Sequence, residues 1–333
     1  MIPAVSLDAY AAARERAGLV DRPDRGRIVV SGADRASFLQ GLLTNDVVAL
    51  KAGQGCYAAY LTAQGRMIAD LDVYELGDVM LLVLPRDVRG TVIAKLDQVI
   101  FSEDVQLGDV TDTFAQMAII GPAAASLVAR VLGVAVETLG AMPEHGNLRA
   151  SWKGSSMIVT RAAGTGEPGF DLYVESARGG ELRRALIEAG AAEVDGDTAE
   201  AIRIEAGVPL FHRDMDEETI PLEAGIESRA VSFSKGCYVG QEVIIRVLHR
   251  GHGRVARRLV GLRFQSDVVP PAGARIRTGD REIGEVTSST RSPALQAPIA
   301  LGYVHRDFVE PGTKVAVDGA TAEVVTVPFV PTT

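Results

Sequence analysis

Apolar and polar residues recur along this chain with two periods, and the points where the period changes mark the predicted elements. A short apolar strand opens at Ile28, and after Ser31-Gly32-Ala33-Asp34 the residues Phe38, Leu39, Leu42 and Leu43 fall at helical spacing, with Asp34 as the expected N-cap. Over 55–84 the period drops to two: runs at 57–61, 67–74 and 79–84, separated by turns at Gln64-Gly65 and Gly77-Asp78, predict an antiparallel meander. A helix is expected after Pro85-Arg86-Asp87 as far as Gln98, then a strand over 115–120 and an alanine-rich helix over 123–132. This mixture has no regular βαβ repeat.

A hairpin follows, with strands over 157–161 and 170–175. Its tip, Gly164-Thr165-Gly166-Glu167-Pro168-Gly169, reads as too glycine-rich for packed core. Asp197-Thr198-Ala199-Glu200 matches a capping box for a helix carrying Arg203 and Glu205, stopped by Gly207 and Pro209. Beyond Gly261 short β-rich runs alternate with glycine and proline, the pattern of a separate small barrel or sandwich.

A length of 333 residues, 47% apolar and 23% charged, suits two or three domains with real cores. The net charge of −9 argues against a stable nucleic-acid or anionic-membrane partner. No apolar run reaches the span of a bilayer, and the start Met1-Ile2-Pro3-Ala4-Val5 lacks a secretory pattern, so a cytoplasmic location is expected. Cys56 and Cys237 stand far apart and outside any CxxC, and the five histidines form no zinc pattern. No phosphate-binding glycine loop or GxSxG is present.

Four features carry candidate chemistry. Asp70 and Asp72 share one face of the 67–74 strand, where the simpler reading from pattern alone is a solvated sheet face. Glu167 at the hairpin tip could accept two parallel N–H donors from a ring, or be an ordinary exposed loop glutamate. Between Arg246 and Arg263 lies a basic island that includes Arg250 and no acidic residue, fit for a polyanionic tail or for a solvated interdomain surface. Lys235-Gly236-Cys237-Tyr238-Val239-Gly240-Gln241-Glu242 sets a cysteine between glycines, beside a lysine and a possible helix start. Two readings stand for Cys237, an activated thiolate and a buried inert thiol.

In order and spacing, these segments resemble the folate-binding superfamily of the glycine cleavage T-protein. The resemblance spans nearly the whole chain and includes Thr165-Gly166-Glu167-Pro168-Gly169-Phe170, Arg203-Ile204-Glu205-Ala206-Gly207 and Ile220-Pro221-Leu222-Glu223-Ala224-Gly225. The octapeptide is similar to the signature of the YgfZ branch. The resemblance implies a three-lobed α+β fold around a central folate cavity, with two interleaved lobes over 1–250 and a C-terminal β-barrel over 255–333. It further implies tetrahydrofolate or a one-carbon derivative as ligand, contacted by Asp70, Glu167, Arg203, Gln241 and Arg250, with Asp70, Lys235 and Cys237 as the chemically active residues.

Two departures from the T-protein pattern, Ala69 in place of the first of two aspartates and the Cys and Gln form of the octapeptide, point away from glycine cleavage. The branch resemblance instead implies an accessory protein for assembly or repair of 4Fe–4S enzymes such as radical-SAM tRNA methylthiolases, with iron–sulfur clients or carriers as partners. The alternatives are a tetrahydrofolate-dependent aminomethyltransferase and a folate-dependent demethylase working beside a flavoprotein.

Overall fold

The computed structural model describes residues 5–162, 164–249 and 254–331, which fold into two open sheets and a closed barrel with helices packed around them. β1 (Gly18–Asp21) starts the first sheet, but the chain leaves it at once. β2 (Arg25–Ser31), β3 (Gly55–Leu61), β4 (Met67–Glu75), β5 (Met80–Pro85) and β6 (Gln106–Asp109) form a second sheet in the order β3-β4-β5-β2-β6. β7 (Phe114–Ile120), β8 (Asn147–Trp152), β9 (Ser155–Ala162), β10 (Gly169–Glu175) and β11 (Ala192–Glu193) then complete the first, ordered β11-β1-β7-β10-β9-β8.

The remaining strands, β12 (Arg257–Phe264), β13 (Arg275–Thr278), β14 (Arg281–Ser292), β15 (Ala297–His305), β16 (Lys314–Val317) and β17 (Ala320–Val325), close into a barrel. Of the two architectures expected for the tail, the chain adopts the one that leaves no open sheet edge. The α+β class with a terminal barrel is therefore as expected.

The second sheet is buried on both faces. Met67, Ala69, Leu71 and Val73 point from β4 into a core shared with Phe38 and Leu39 of the helix Arg35–Leu42. On the opposite face Tyr74, Leu81 and Val83 form a buried cluster with Tyr173 of β10, backed by Ile158 of β9. The solvated-face reading of Asp70 and Asp72 is thereby corrected, because that face meets the first sheet rather than water.

Local capping also differs from expectation. Asp34 sits at the N-cap position, but its carboxylate accepts from Asp104 N at 2.9 Å and makes no cap bond. The helix Gly196–Ala206 is capped by Asp195, whose Oδ1 accepts from Thr198 N at 2.8 Å, so the cap lies two residues before Asp197. The hairpin tip is packed after all. Gly166 has φ +86°, and a Cβ there would stand 2.0 Å from Cβ of Ala206, so glycine lets the tip lie flat on that helix.

Candidate functional site

Where the two sheets face each other near the start of β2, a cavity of about 60 Å3 is lined by Tyr57, Asp70, Asp72, His145, Asp171 and Arg229, among others. Alternation along β4 puts Asp70 and Asp72 on this side, and the register of β3 against β4 sets Tyr57 opposite Asp72. The Tyr57 hydroxyl donates to Asp70 Oδ2 at 2.9 Å, while Asp70 Oδ1 is buried without a partner. Burial raises the Asp70 pKa above its ordinary value, against the opposing pull of Arg25 and the Tyr57 hydrogen bond. Burial and the adjacent Asp70 likewise hold Tyr57 protonated, so it remains a donor.

Asp72 behaves differently. Burial acts to raise its pKa, but His145, Arg25 and Arg229 more than offset it, and the carboxyl stays below its ordinary range. Its Oδ1 is 3.3 Å from His145 Nδ1, and its Oδ2 is 3.5 Å from Arg25 Nη2. Burial works against charge on His145 too, yet Asp72 and Glu144 push its pKa up to about 9. His145 has φ +57°, and its N–H donates to the Arg161 carbonyl at 3.1 Å, so β9 holds this strained residue at the cavity. Asp171 closes the group. Burial raises its pKa, and Gln116 Nε2 donates to its Oδ2 at 3.0 Å.

Of the residues singled out from sequence, only Asp70 and its neighbour Asp72 reach this cavity. Glu167 is fully buried and ion-paired with Arg14, which also pairs with Glu205. Tyr10 donates to Glu205 Oε2 at 2.6 Å and Ser292 donates to Oε1, so this network ties the helix Leu7–Glu15, the hairpin tip, the helix Gly196–Ala206 and the barrel together. Arg203 is buried in a second knot. It donates to Asp214 Oδ2 at 2.7 Å, to both Glu200 oxygens, and to Ser288 of β14 at 2.8 Å. Both residues, expected to contact folate, are engaged in ion pairs within the protein.

The octapeptide packs on the second sheet. Lys235 Nζ donates to the carbonyls of Gln40, Leu43 and Asn45 at 2.6, 2.7 and 2.9 Å, and burial pushes its pKa down to about 8. Gly240 has φ +85°, and a Cβ there would come within 2.5 Å of the Thr62 carbonyl oxygen in the β3–β4 turn. A helix does start at Gln241 and runs to His249. Cys237 is exposed, which sets aside the buried-thiol reading, and the ammonium expected to activate it is engaged by the three carbonyls. Neither Cys237 nor Gln241 lines the Asp70 cavity.

Arg250 lies outside the described residues. Two other cations of the basic island are neutralised: Arg257 pairs with Glu223 at 3.3 Å and Arg258 with Glu227 at 3.2 Å. Sequence reasoning missed Tyr57, His145 and Asp171 as members of the site. Tyr57 could have been found by counting back across the hairpin from the Gln64-Gly65 turn. His145 stands in an irregular loop, and no spacing announces it.

Comparison with known proteins agrees with this architecture. Residues 4–235 match the family model described as the GCVT N-terminal domain, and residues 257–331 match the glycine cleavage T-protein C-terminal barrel domain. The chain belongs to the glycine cleavage T-protein family. An aminomethyltransferase of Rubrobacter xylanophilus is 34% identical over 295 residues, covering 89% of this chain and 78% of that protein. One of Halothermothrix orenii is 30% identical and covers 97% and 91%. The crystal structure of the glycine cleavage system aminomethyltransferase T from Bartonella henselae superposes with a TM-score of 0.88 at 25% identity, covering 97% of this chain and 89% of that one.

These relatives overturn the expected iron–sulfur accessory role, since similarity over nearly the full length runs to proteins named aminomethyltransferase. The two departures that had pointed away from transfer chemistry also lose their force. Ala69 faces the apolar core on the other side of β4, so the missing first aspartate takes nothing from the cavity. In the octapeptide, Lys235 and Gly240 make packing contacts with the 40–45 carbonyls and the β3–β4 turn. Among the described residues no helix is long and apolar enough to cross a membrane.

Proposed function

We propose that this T-protein family member transfers a one-carbon unit from an aminomethyl thioether, of the kind borne on a lipoyl arm, to tetrahydrofolate. The observation that carries the reading is Asp70. Its Oδ1 is buried, unpartnered and set in the interlobe cavity of a chain whose near-full-length relatives are named aminomethyltransferase.

The reaction balances without an external oxidant. The methylene carbon gives up its nitrogen as ammonia and its sulfur as a free thiol, gaining bonds to N5 and N10 of the folate. The two N–H hydrogens displaced there end on the departing nitrogen and sulfur. Asp70 is the group to accept a hydrogen bond from N10–H and to hold that proton, since burial has already raised its proton affinity toward the working range of a general base. Tyr57 keeps Oδ2 occupied, which leaves Oδ1 as the oxygen presented to substrate. The carboxylates of Asp72 and Asp171 suit the cationic leaving amine.

The donor set fits a reduced pterin by chemistry. A whole tetrahydrofolate needs several times the cavity's volume, so its binding requires the cavity to widen. Cys237 and Gln241 give the octapeptide YgfZ-like letters, which we read as a branch marker on a transferase frame. The test is incubation with an aminomethylated lipoyl carrier protein and tetrahydrofolate. Methylenetetrahydrofolate and ammonia should appear in equal amounts; absence of both at high protein concentration would defeat the proposal.

A further inference from the structure

The same two sheets enclose a second cavity, of about 220 Å3, that shares no lining residue with the first. Strand β2 serves both. Arg25 faces the Asp70 cavity, and the next two residues on that face of the strand, Arg27 and Val29, line the second. Its wall is largely apolar, with Leu81, Val110, Phe114 and Ile158, while exposed Arg149 and Glu175 also line it.

Arg27 is the anomaly. It is 3% exposed, yet its side chain meets only neutral acceptors: Nη1 donates to Gln116 Oε1 at 2.8 Å and Nη2 to the Thr111 carbonyl. Its Nε is buried with no partner. The acidic residues that could serve it are engaged elsewhere, Asp109 with Arg89 at 2.9 Å and Asp112 with Arg86 at 2.6 Å. Among the described residues Glu175 makes no ion pair with it. A buried guanidinium without a counter-charge is costly, and an anion bound beside it would offset that cost.

We propose that this cavity binds a small carboxylate with an apolar body, its carboxylate on the guanidinium of Arg27 and its body among Leu81, Val110, Phe114 and Ile158. The planar guanidinium fork matches a carboxylate, and a neutral ligand would leave the buried charge as it stands. A cavity of about 150 Å3 accommodates benzene, so by proportion this one takes a ligand of about nine heavy atoms. The Arg149–Asp78 pair is exposed on both sides and opposes entry only weakly.

Calorimetric titration of the full-length protein with hexanoate, and with 1-hexanol as the uncharged counterpart, tests this independently of the transfer reaction. Hexanoate should bind at least about tenfold more tightly than hexanol. Arg27→Met should reduce hexanoate to the level of hexanol, and Val79→Trp, which fills the cavity from the position just before β5, should abolish both. Tetrahydrofolate affinity should be unchanged throughout. No hexanoate binding up to about 10 mM, equal binding of the two probes, or hexanoate binding that survives Arg27→Met would overturn the assignment. Should Arg27→Met fail to fold, Val79→Trp decides: loss of hexanoate binding supports the site, and retention overturns it.

Discussion

Tyr57 and Asp70 meet diagonally across β3 and β4, the phenol donating to one carboxylate oxygen at 2.9 Å while the other oxygen stands unpartnered at the cavity between the two sheets. That asymmetry gives Asp70 a fixed orientation and one available acceptor. It also makes the residue thermodynamically expensive, since a buried carboxylate with a single neutral donor is poorly compensated.

Asp70→Asn should therefore separate activity from stability. The amide oxygen can still accept from Tyr57, but proton acceptance is lost, and methylenetetrahydrofolate formation should fall by about 10²–10⁴-fold. Because the folded pKa of Asp70 lies above its ordinary 3.8, its contribution favours folding only at low pH and is lost as pH rises through the folded value. The variant should thus be more stable than the parent at neutral pH in chemical denaturation, with the difference vanishing below pH 3.8.

His145 shifts in the same direction as Asp70 but for a different reason, charge pairing with Asp72 and Glu144 rather than burial. Its folded pKa of about 9 against 6.5 means its stabilisation is fully present below pH 6.5 and disappears as pH rises through about 9. The shift corresponds to roughly 3 kcal/mol. His145→Asn, which tolerates positive φ, should flatten the melting temperature between pH 7 and 10 relative to the parent. An imidazole that titrates near its ordinary value by NMR would refute the Asp72–His145 pairing.

Gly166→Ala should destabilise without touching the cavity. The substituent meets Ala206 at 2.0 Å and a backbone at φ +86°, and a loss of about 1–3 kcal/mol is expected in urea unfolding.

Lys235 and Cys237 should part company despite their closeness in sequence. Lys235→Met removes the donor from three carbonyls and should cost about 2–4 kcal/mol in unfolding free energy. Cys237→Ala changes an exposed side chain away from the cavity, and both stability and one-carbon transfer should stay within about twofold of the parent. A collapse of transfer in Cys237→Ala would return the thiol to the mechanism.

Much of the local structure was legible in the chain. The meander, the hairpin, the helix Ala124–Leu132 and the β-rich tail follow from period and punctuation, and alternation alone put Asp70 and Asp72 on one face. What alternation could not say is what covers that face. The first sheet does, and it is assembled from β1 and from β7 to β11, on either side of the second sheet in sequence.

Glu167 shows the same limit. A glycine-rich tip reads as exposed loop, yet a contact with Arg14, 153 residues away, makes it an internal ion pair. The lysine and second glycine of the octapeptide make packing contacts that the sequence did not announce, because their partners, the 40–45 carbonyls and the β3–β4 turn, are again distant in sequence. Sequence by itself determined the elements and the family and put Asp70 among the candidate residues, since these depend on local period and on ordered motifs. Tertiary structure decided which polar groups are buried, with whom they pair and which carboxylate oxygen is left without a partner, because desolvation and charge pairing act through space between segments the chain order keeps apart.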